Sequence, residues 1–162
     1  MDHDQYSDNY IKGILDDTRV IAMVGASANQ SRPSYFAMKY LQAKRYRVIP
    51  VNPGQAGKKI LGETVYATLD DIPENIDMVD CFRSADAIPP LAKDAVRLGA
   101  KVLWMQLGIF NDEATKIAED AGLKVVMDRC PKIEYGRLSG EMGWLGVNTG
   151  VISSKRTRRI GP

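Results

Sequence analysis

The sequence has few of the residues that bind metals or form disulfides. It contains one histidine, His3, and two cysteines, Cys81 and Cys130, which are far apart and belong to no CxxC pair. Metal sites usually draw on closely spaced His and Cys ligands. We therefore expect no metal site, reduced thiols, a core position for Cys81 inside its apolar run, and a passive His3 in a frayed N-terminal segment.

Long apolar runs and internal repeats are also missing. No stretch approaches the roughly 20 apolar residues that a transmembrane helix requires, and the opening MDHDQYSDNY is too acidic and polar for a signal peptide. Hydrophobic residues make up 44% of the 162 residues and charged residues 26%, the composition of a globular domain. The sequence thus predicts one cytoplasmic domain, residues 1–162, with no membrane association.

Positive charge is concentrated at the end of the chain. The final segment contains Lys155, Arg156, Arg158 and Arg159 and no acidic residue. The rest of the chain has 18 basic and 20 acidic residues, so the formal net charge of the whole chain is +2. A basic tail can contact nucleic acid or an acidic partner. Binding through this tail stays open as an alternative function, although we do not expect nucleic acid to be bound.

The spacing of apolar residues predicts an α/β fold, because short runs rich in β-branched residues alternate with helical patterns. The expected strands are Val20–Val24, Arg47–Val51, Met78–Phe82, Lys101–Met105 and Leu123–Met127. The expected helices include about Ser7–Asp16, Pro33–Lys44, one capped by Ser84 or Asp86, and one capped by Asn111. We predict a Rossmann-like, open, mainly parallel five-stranded sheet with helices on both faces and a core at about residues 20–135.

The pattern weakens after the last predicted strand. Residues 136–162 form a glycine-rich extension with the basic tail, and residues 133–157 show no clear periodicity. Trp144, Leu145, Val147, Val151 and Ile152 are nevertheless apolar. We expect this extension to pack on its own domain or on a second copy of the chain, as a homo-oligomer.

Ligands of open parallel sheets bind beyond the carboxyl ends of the strands, so the segments after the strands are the candidate site. After the first strand, Gly25, Ala26 and Ser27 form a turn, and Arg32 precedes the helix. Backbone N–H groups in such a turn can bind a phosphate. The dinucleotide pattern GxGxxG is incomplete, because Ser27 and Gln30 stand where the later glycines belong.

The end of the second strand helps to distinguish cofactors. Strands that bind NAD usually end in an acidic residue that holds the ribose hydroxyls. Here the strand ends in IPVNP, with Asn52 and Pro53 in that place and Lys58 and Lys59 shortly after. This arrangement favours an apolar contact to a base and a nucleotide ligand with extra phosphates, and NADP is one ligand that could use the cations.

Two further segments contribute polar groups to the same edge. Arg83 and Ser84 follow the third strand beside a helix start, where an anion can bind. Gln106 and Gly108 follow the fourth strand, where they offer an amide and a close approach of the backbone. These four residues are therefore candidate contacts for a ligand.

Cys130 is the one candidate for thiol chemistry near the strand ends. It follows the fifth strand between Arg129 and Lys132, whose positive charges favour a thiolate. Asp128 and Glu134 oppose that effect. We do not assign Cys130 a catalytic role, but we include it among the ligand contacts.

The order of these segments resembles the CoA-binding domain family, the Rossmann-like fold also found at the start of the succinyl-CoA synthetase alpha subunit. The resemblance rests on VGAS with RPSY, on VIPVNP followed by GKKILGETVYATLDDIP, and on DMVDCFR, VLWMQLGI and VVMDRCPKIEY, from about Ile21 to Tyr135. It implies CoA binding around Gly25, Ser27, Asn52, Pro53, Arg83 and Gln106.

The leading expectation is a stand-alone module that binds CoA or an acyl-CoA without turnover. Catalysis would require a nucleophile or an acid–base pair near the strand ends, and only Cys130 is a candidate. An NADP-linked oxidoreductase is the alternative enzyme, but no Tyr/Lys or His pair suited to hydride transfer is evident.

Overall fold

The structure is a computed structural model that describes residues 1–140. The strands within these residues are β1 (Val20–Val24), β2 (Arg47–Val51), β3 (Lys59–Ile60), β4 (Glu63–Thr64), β5 (Met78–Cys81), β6 (Val102–Met105) and β7 (Lys124–Val126). The α-helices are α1 (Asp8–Asp17), α2 (Pro33–Ala43), α3 (Ile88–Arg97), α4 (Asp112–Asp120) and α5 (Pro131–Leu138).

Five of these strands form one parallel sheet in the order β2-β1-β5-β6-β7, so the predicted Rossmann-like architecture is confirmed for the described residues. The long connection after β2 contains a feature that the sequence pattern did not predict. There β3 and β4 pair as an antiparallel hairpin. The hairpin is too short, at two residues a strand, to show the alternation by which strands are recognised in a sequence.

Helices cover both faces of the sheet, because alternate residues of each strand point to opposite sides. Ala22 and Val24 of β1 pack in one cluster with α3 and α4, whereas Ile21 and Met23 pack in the other with α1, α2 and α5. Trp104 is fully buried in the second cluster, and its indole N–H donates to the carbonyl oxygen of Arg129 at 2.9 Å. The sheet therefore separates two hydrophobic clusters, and its strands contribute residues to both.

The two predicted helix caps have different outcomes. Asn111 caps α4 as predicted, since its Oδ1 accepts a hydrogen bond from the N–H of Ala114 at 2.8 Å. The predicted cap of α3 is wrong. A 3-10 turn, Ala85–Ala87, intervenes, and the hydroxyl of Ser84 donates to the carboxylate of Asp86 at 2.7 Å instead.

Both ends of the described chain are more ordered than the sequence indicates. The hydroxyl of Tyr6 lies 2.7 Å from Nδ1 of His3 and accepts a hydrogen bond from the N–H of Met127 at 2.8 Å, so the N-terminal segment is not frayed. At the other end, α5 begins directly after Cys130, where no periodicity was visible, and it packs against α1 and α2. Residues 141–162, with the basic tail and the expected packing of the extension, lie outside the described residues.

Candidate functional site

The carboxyl ends of the parallel strands meet at one edge of the sheet. The chain passes from β1 through α2 to β2 on one side, and then crosses to β5 on the other side of β1. The helices after β1 and β5 cover opposite faces, so a crevice opens between the two connections. The sequence-predicted contacts all lie in connections at this edge.

Gly25 lets the connection after β1 approach the connection after β5. Its φ is +87°, and its N–H donates to the carbonyl oxygen of Val51 at 2.9 Å. A Cβ at this position would overlap the carbonyl oxygen of Phe82 and lie 2.9 Å from its carbonyl carbon. Glycine satisfies both the positive φ and the contact. The glycine thus shapes the loop, while its own N–H is used within the fold.

The rest of this loop leads into the N-terminus of α2. The backbone N–H of Ser27 donates to the hydroxyl of Ser34 at 3.1 Å, and the hydroxyl of Ser27 accepts from the N–H of Asn29 at 3.0 Å. Arg32 is the N-cap residue, makes no side-chain cap, and is exposed without an ion pair to a described residue. A helix N-terminus with an adjacent guanidinium is suited to an anion such as phosphate.

Asn52 joins two of the loops rather than pointing freely into the crevice. Its Nδ2 donates to the carbonyl oxygen of Ala26 at 2.8 Å, and its Oδ1 accepts from the N–H of Gly54 at 2.9 Å. The side chain therefore cannot replace the carboxylate that holds ribose hydroxyls in NAD sites. Pro53 begins the short 3-10 turn that follows, and Lys58 is exposed beyond it.

A cleft of about 290 Å³ lies at the start of α2 and brings together part of the predicted site. It is lined by Pro33, Phe82, Arg83, Gln106, Leu107, Ile109 and Cys130. Arg83 is exposed and makes no ion pair with a described residue. The lining combines apolar side chains with one cation, one amide and one thiol. Such a lining can hold an aliphatic chain that carries a few polar groups.

Three predicted contacts have their polar groups occupied within the fold. Ala26 is buried, and its carbonyl oxygen accepts from Asn52, as described above. The N–H of Gly108 donates to Oδ1 of Asp128 at 2.7 Å, which holds the turn after β6. The hydroxyl of Ser84 donates to Asp86. These residues shape the edge of the site, and none of them lines the cleft.

The structure corrects the expected activation of Cys130. Burial raises the pKa of its thiol and outweighs the backbone N–H groups of Ile133 and Lys132 and the charge of Lys132. Arg129 does not face the thiol, because its guanidinium donates to the carbonyl oxygens of Met127, Asp128 and Asp4. Cys130 is therefore a cleft-lining thiol that is mainly protonated at neutral pH.

Asp80 is the residue at this site that our sequence interpretation missed. It lies in the middle strand β5 with no exposed surface, and burial raises its pKa to about 7. Its Oδ1 accepts a hydrogen bond from Nε2 of Gln106 at 2.5 Å, whereas its Oδ2 has no hydrogen-bond partner among the described residues. An acidic residue within the apolar run MVDC was the available signal, because carboxylates are rarely buried without a partner.

The fold and the site define a class: a Rossmann-like domain with a cleft beside the N-terminus of α2 at the switch point of the sheet. A family model described as the CoA binding domain matches residues 19–136. The chain belongs to this CoA binding domain family.

Relatives of the chain include small proteins and a segment of larger enzymes. It is 35% identical over 125 residues to the uncharacterized protein YneT of Bacillus subtilis (strain 168), covering 77% of this chain and 91% of that protein. It is 30% identical over 122 residues to acetate–CoA ligase (ADP-forming) I of Archaeoglobus fulgidus, covering 69% of this chain and 18% of the ligase. A solved structure, a hypothetical protein from Pyrococcus horikoshii OT3, is similar with a TM-score of 0.79 and 39% identity, covering 85% and 95% of the two chains.

Residues 1–140 lack two further features, a cluster of metal ligands and a membrane-spanning helix. No group of three or more His, Cys, Asp or Glu side chains in this part of the chain is placed to hold a metal ion. Within the same residues, no helix is both long and apolar enough to cross a membrane.

Proposed function

We propose that the protein binds CoA or an acyl-CoA at the carboxyl edge of its sheet and acts as a binding module without turnover. The observation that carries this proposal is the cleft at the N-terminus of α2, which adjoins a loop suited to phosphate and is lined by Arg83, Gln106 and Cys130. Membership of the CoA binding domain family supports the same ligand.

The phosphates of CoA fit the connections after β1 and β2. The N-terminus of α2 carries partial positive charge, and Arg32 beside it is exposed without an ion pair to a described residue. Lys58, in the connection after β2, is also exposed without such an ion pair. CoA has a pyrophosphate and a 3′-phosphate, whereas NAD has only the pyrophosphate. Asn52, with its amide bonded to two loops, offers no carboxylate to the ribose of NAD. These features favour CoA over NAD.

The pantetheine arm of CoA fits the cleft. This arm is an aliphatic chain with two amide groups and a terminal thiol or thioester. The apolar lining from Pro33, Phe82, Leu107 and Ile109 suits the chain, while Gln106 offers a hydrogen-bonding group to an amide. The arm would run from the phosphate loop into the cleft, because Pro33 both begins α2 and lines the cleft.

Two properties of Cys130 and Asp80 support binding without turnover. The pKa of the Cys130 thiol is raised, so this residue is not an activated nucleophile at neutral pH. Asp80 has no surface exposed in the cleft, so it does not reach a bound acyl group in this conformation. A cytoplasmic location, expected from the sequence, stays a prediction.

Isothermal titration calorimetry with CoA, acetyl-CoA, NAD and NADP tests the ligand. We expect CoA to bind more tightly than either dinucleotide, and NAD binding of equal or greater affinity contradicts the proposal. Chromatography of acetyl-CoA after incubation with the protein tests the absence of turnover. Intact acetyl-CoA is expected, and release of free CoA above the rate in buffer contradicts that part of the proposal.

A further inference from the structure

Asp80 and Gln106 form a pair that links the sheet interior to the cleft. Asp80 is fully buried on β5, and Gln106, directly after β6, is 6% exposed and lines the cleft. One hydrogen bond joins them, from Nε2 of Gln106 to Oδ1 of Asp80. A buried carboxyl group in an apolar sheet is unfavourable unless it is well bonded. A single bond and an orphaned Oδ2 leave it poorly satisfied, which indicates a role other than stability.

The direction of this hydrogen bond determines what Gln106 presents to a ligand. A carboxylate only accepts hydrogen bonds, so an ionised Asp80 requires the NH₂ end of the Gln106 amide. The carbonyl end, Oε1, then has no bond to a described residue and is left to accept one from a molecule in the cleft. A protonated Asp80 also has an O–H to donate, so it no longer requires the NH₂ end of the amide. Ionisation of Asp80 therefore holds the amide in the orientation that leaves Oε1 as an acceptor.

We propose that Asp80 is a positioning residue that fixes Gln106 as a hydrogen-bond acceptor for an amide N–H of the pantetheine arm. The proposal rests on the proposed function and deepens it, because it names the part of the ligand that Gln106 recognises. The phosphates and adenine of the ligand, which lack amide donors of this kind, do not bind to the Asp80–Gln106 pair.

The thiols close to Asp80 do not titrate near neutral pH. The charge of Asp80 contributes to the raised pKa of two thiols, Cys81 on the same strand and Cys130 at the start of α5. Burial raises the pKa of both thiols above the ordinary value, so both stay neutral in this range. No charged side chain contributes to the pKa of Asp80, which depends on burial and on Gln106.

The test compares CoA with 3′,5′-ADP, which has phosphates and adenine but no pantetheine arm. We expect Gln106→Leu to weaken CoA binding about fivefold to tenfold, the factor for one net hydrogen bond, and to leave 3′,5′-ADP affinity unchanged. Gln42→Leu is the matched control, since Gln42 also donates to one partner, the carbonyl oxygen of Leu61, but lies outside the cleft. Equal losses for both ligands, or no loss of CoA affinity, overturn the proposal.

The pH profile separates positioning from a purely structural role. In the wild type, the ratio of CoA affinity to 3′,5′-ADP affinity should rise more with pH through about 7 than in Asp80→Asn, because ionised Asp80 holds the Gln106 amide as an acceptor. In Asp80→Asn, which keeps the shape of the side chain but cannot ionise, only the pH dependence from the ligand phosphates should remain. Wild-type and Asp80→Asn ratios with the same pH profile overturn the role of Asp80. Failure of the wild type to bind CoA at all instead refutes the proposed function itself.

Discussion

Replacing Gly25 with alanine should disrupt the site, and the structure allows the effect to be estimated. A non-glycine residue at φ +87° costs about 1–2 kcal/mol of stability relative to glycine. The added Cβ would also overlap the carbonyl oxygen of Phe82, and such overpacking typically costs about 1–3 kcal/mol more. Gly25→Ala should therefore lower the free energy of unfolding by about 2–5 kcal/mol and weaken CoA binding by displacing the loop.

Gly122→Ala is a control that separates the two contributions. Gly122 has a φ of +92°, but a Cβ there would meet nothing within 4 Å. Its substitution should cost only the dihedral part, about 1–2 kcal/mol, and leave CoA binding unchanged. Urea unfolding of both variants, followed by circular dichroism, measures the difference. Equal losses of stability would refute the close approach of the two connections as the reason for glycine at position 25.

Three further predictions concern charged and thiol groups. The wild type should lose about 4 kcal/mol of stability as the pH rises from about 4 to 7, because the Asp80 pKa rises from 3.8 to about 7 on folding. Asp80→Asn should not show this loss. Urea midpoints that change in parallel for the two proteins across this pH range contradict the prediction. Arg83→Ala and Lys58→Ala should each weaken CoA binding about tenfold and reduce its salt dependence. The control Lys93→Ala, at another exposed lysine, should change neither. Calorimetry at two salt concentrations measures both effects. Oxidised CoA should form one reducible adduct at Cys130, because the Cys130 thiolate attacks the disulfide of oxidised CoA and releases one CoA thiolate; the reaction should be faster as the pH rises. Peptide mass mapping checks the position, and an adduct on the fully buried Cys81 argues against the prediction.

The local chemistry of the chain was sufficient to predict the sheet and most of its helices. The five parallel strands follow from β-branched apolar runs whose ends are marked by residues such as Gly25 and Asn52. The cap at Asn111 is also local, since it involves a residue three positions away. α5 was not predicted, because its buried residues, Pro131, Glu134 and Gly136, do not form an apolar helical stripe.

Only the tertiary structure showed which candidate residues share a cleft. The sequence predicted that Arg83, Gln106 and Cys130 lie near one edge, because parallel strands end together. It could not show that Asn52 donates to the carbonyl oxygen of Ala26 or that the guanidinium of Arg129 donates to that of Asp4. These hydrogen bonds join residues that are distant in the chain, and the burial of a side chain likewise depends on distant residues.

The sequence by itself therefore determined the fold class, the edge of the sheet that carries the candidate site and the residue types available there, because periodicity and turn chemistry are local properties. The tertiary structure decided the protonation and direction of those groups. Asp80 acquires a pKa of about 7 only because packing removes it from water, and Gln106, 26 positions away, is fixed only because β5 and β6 are neighbours in the sheet.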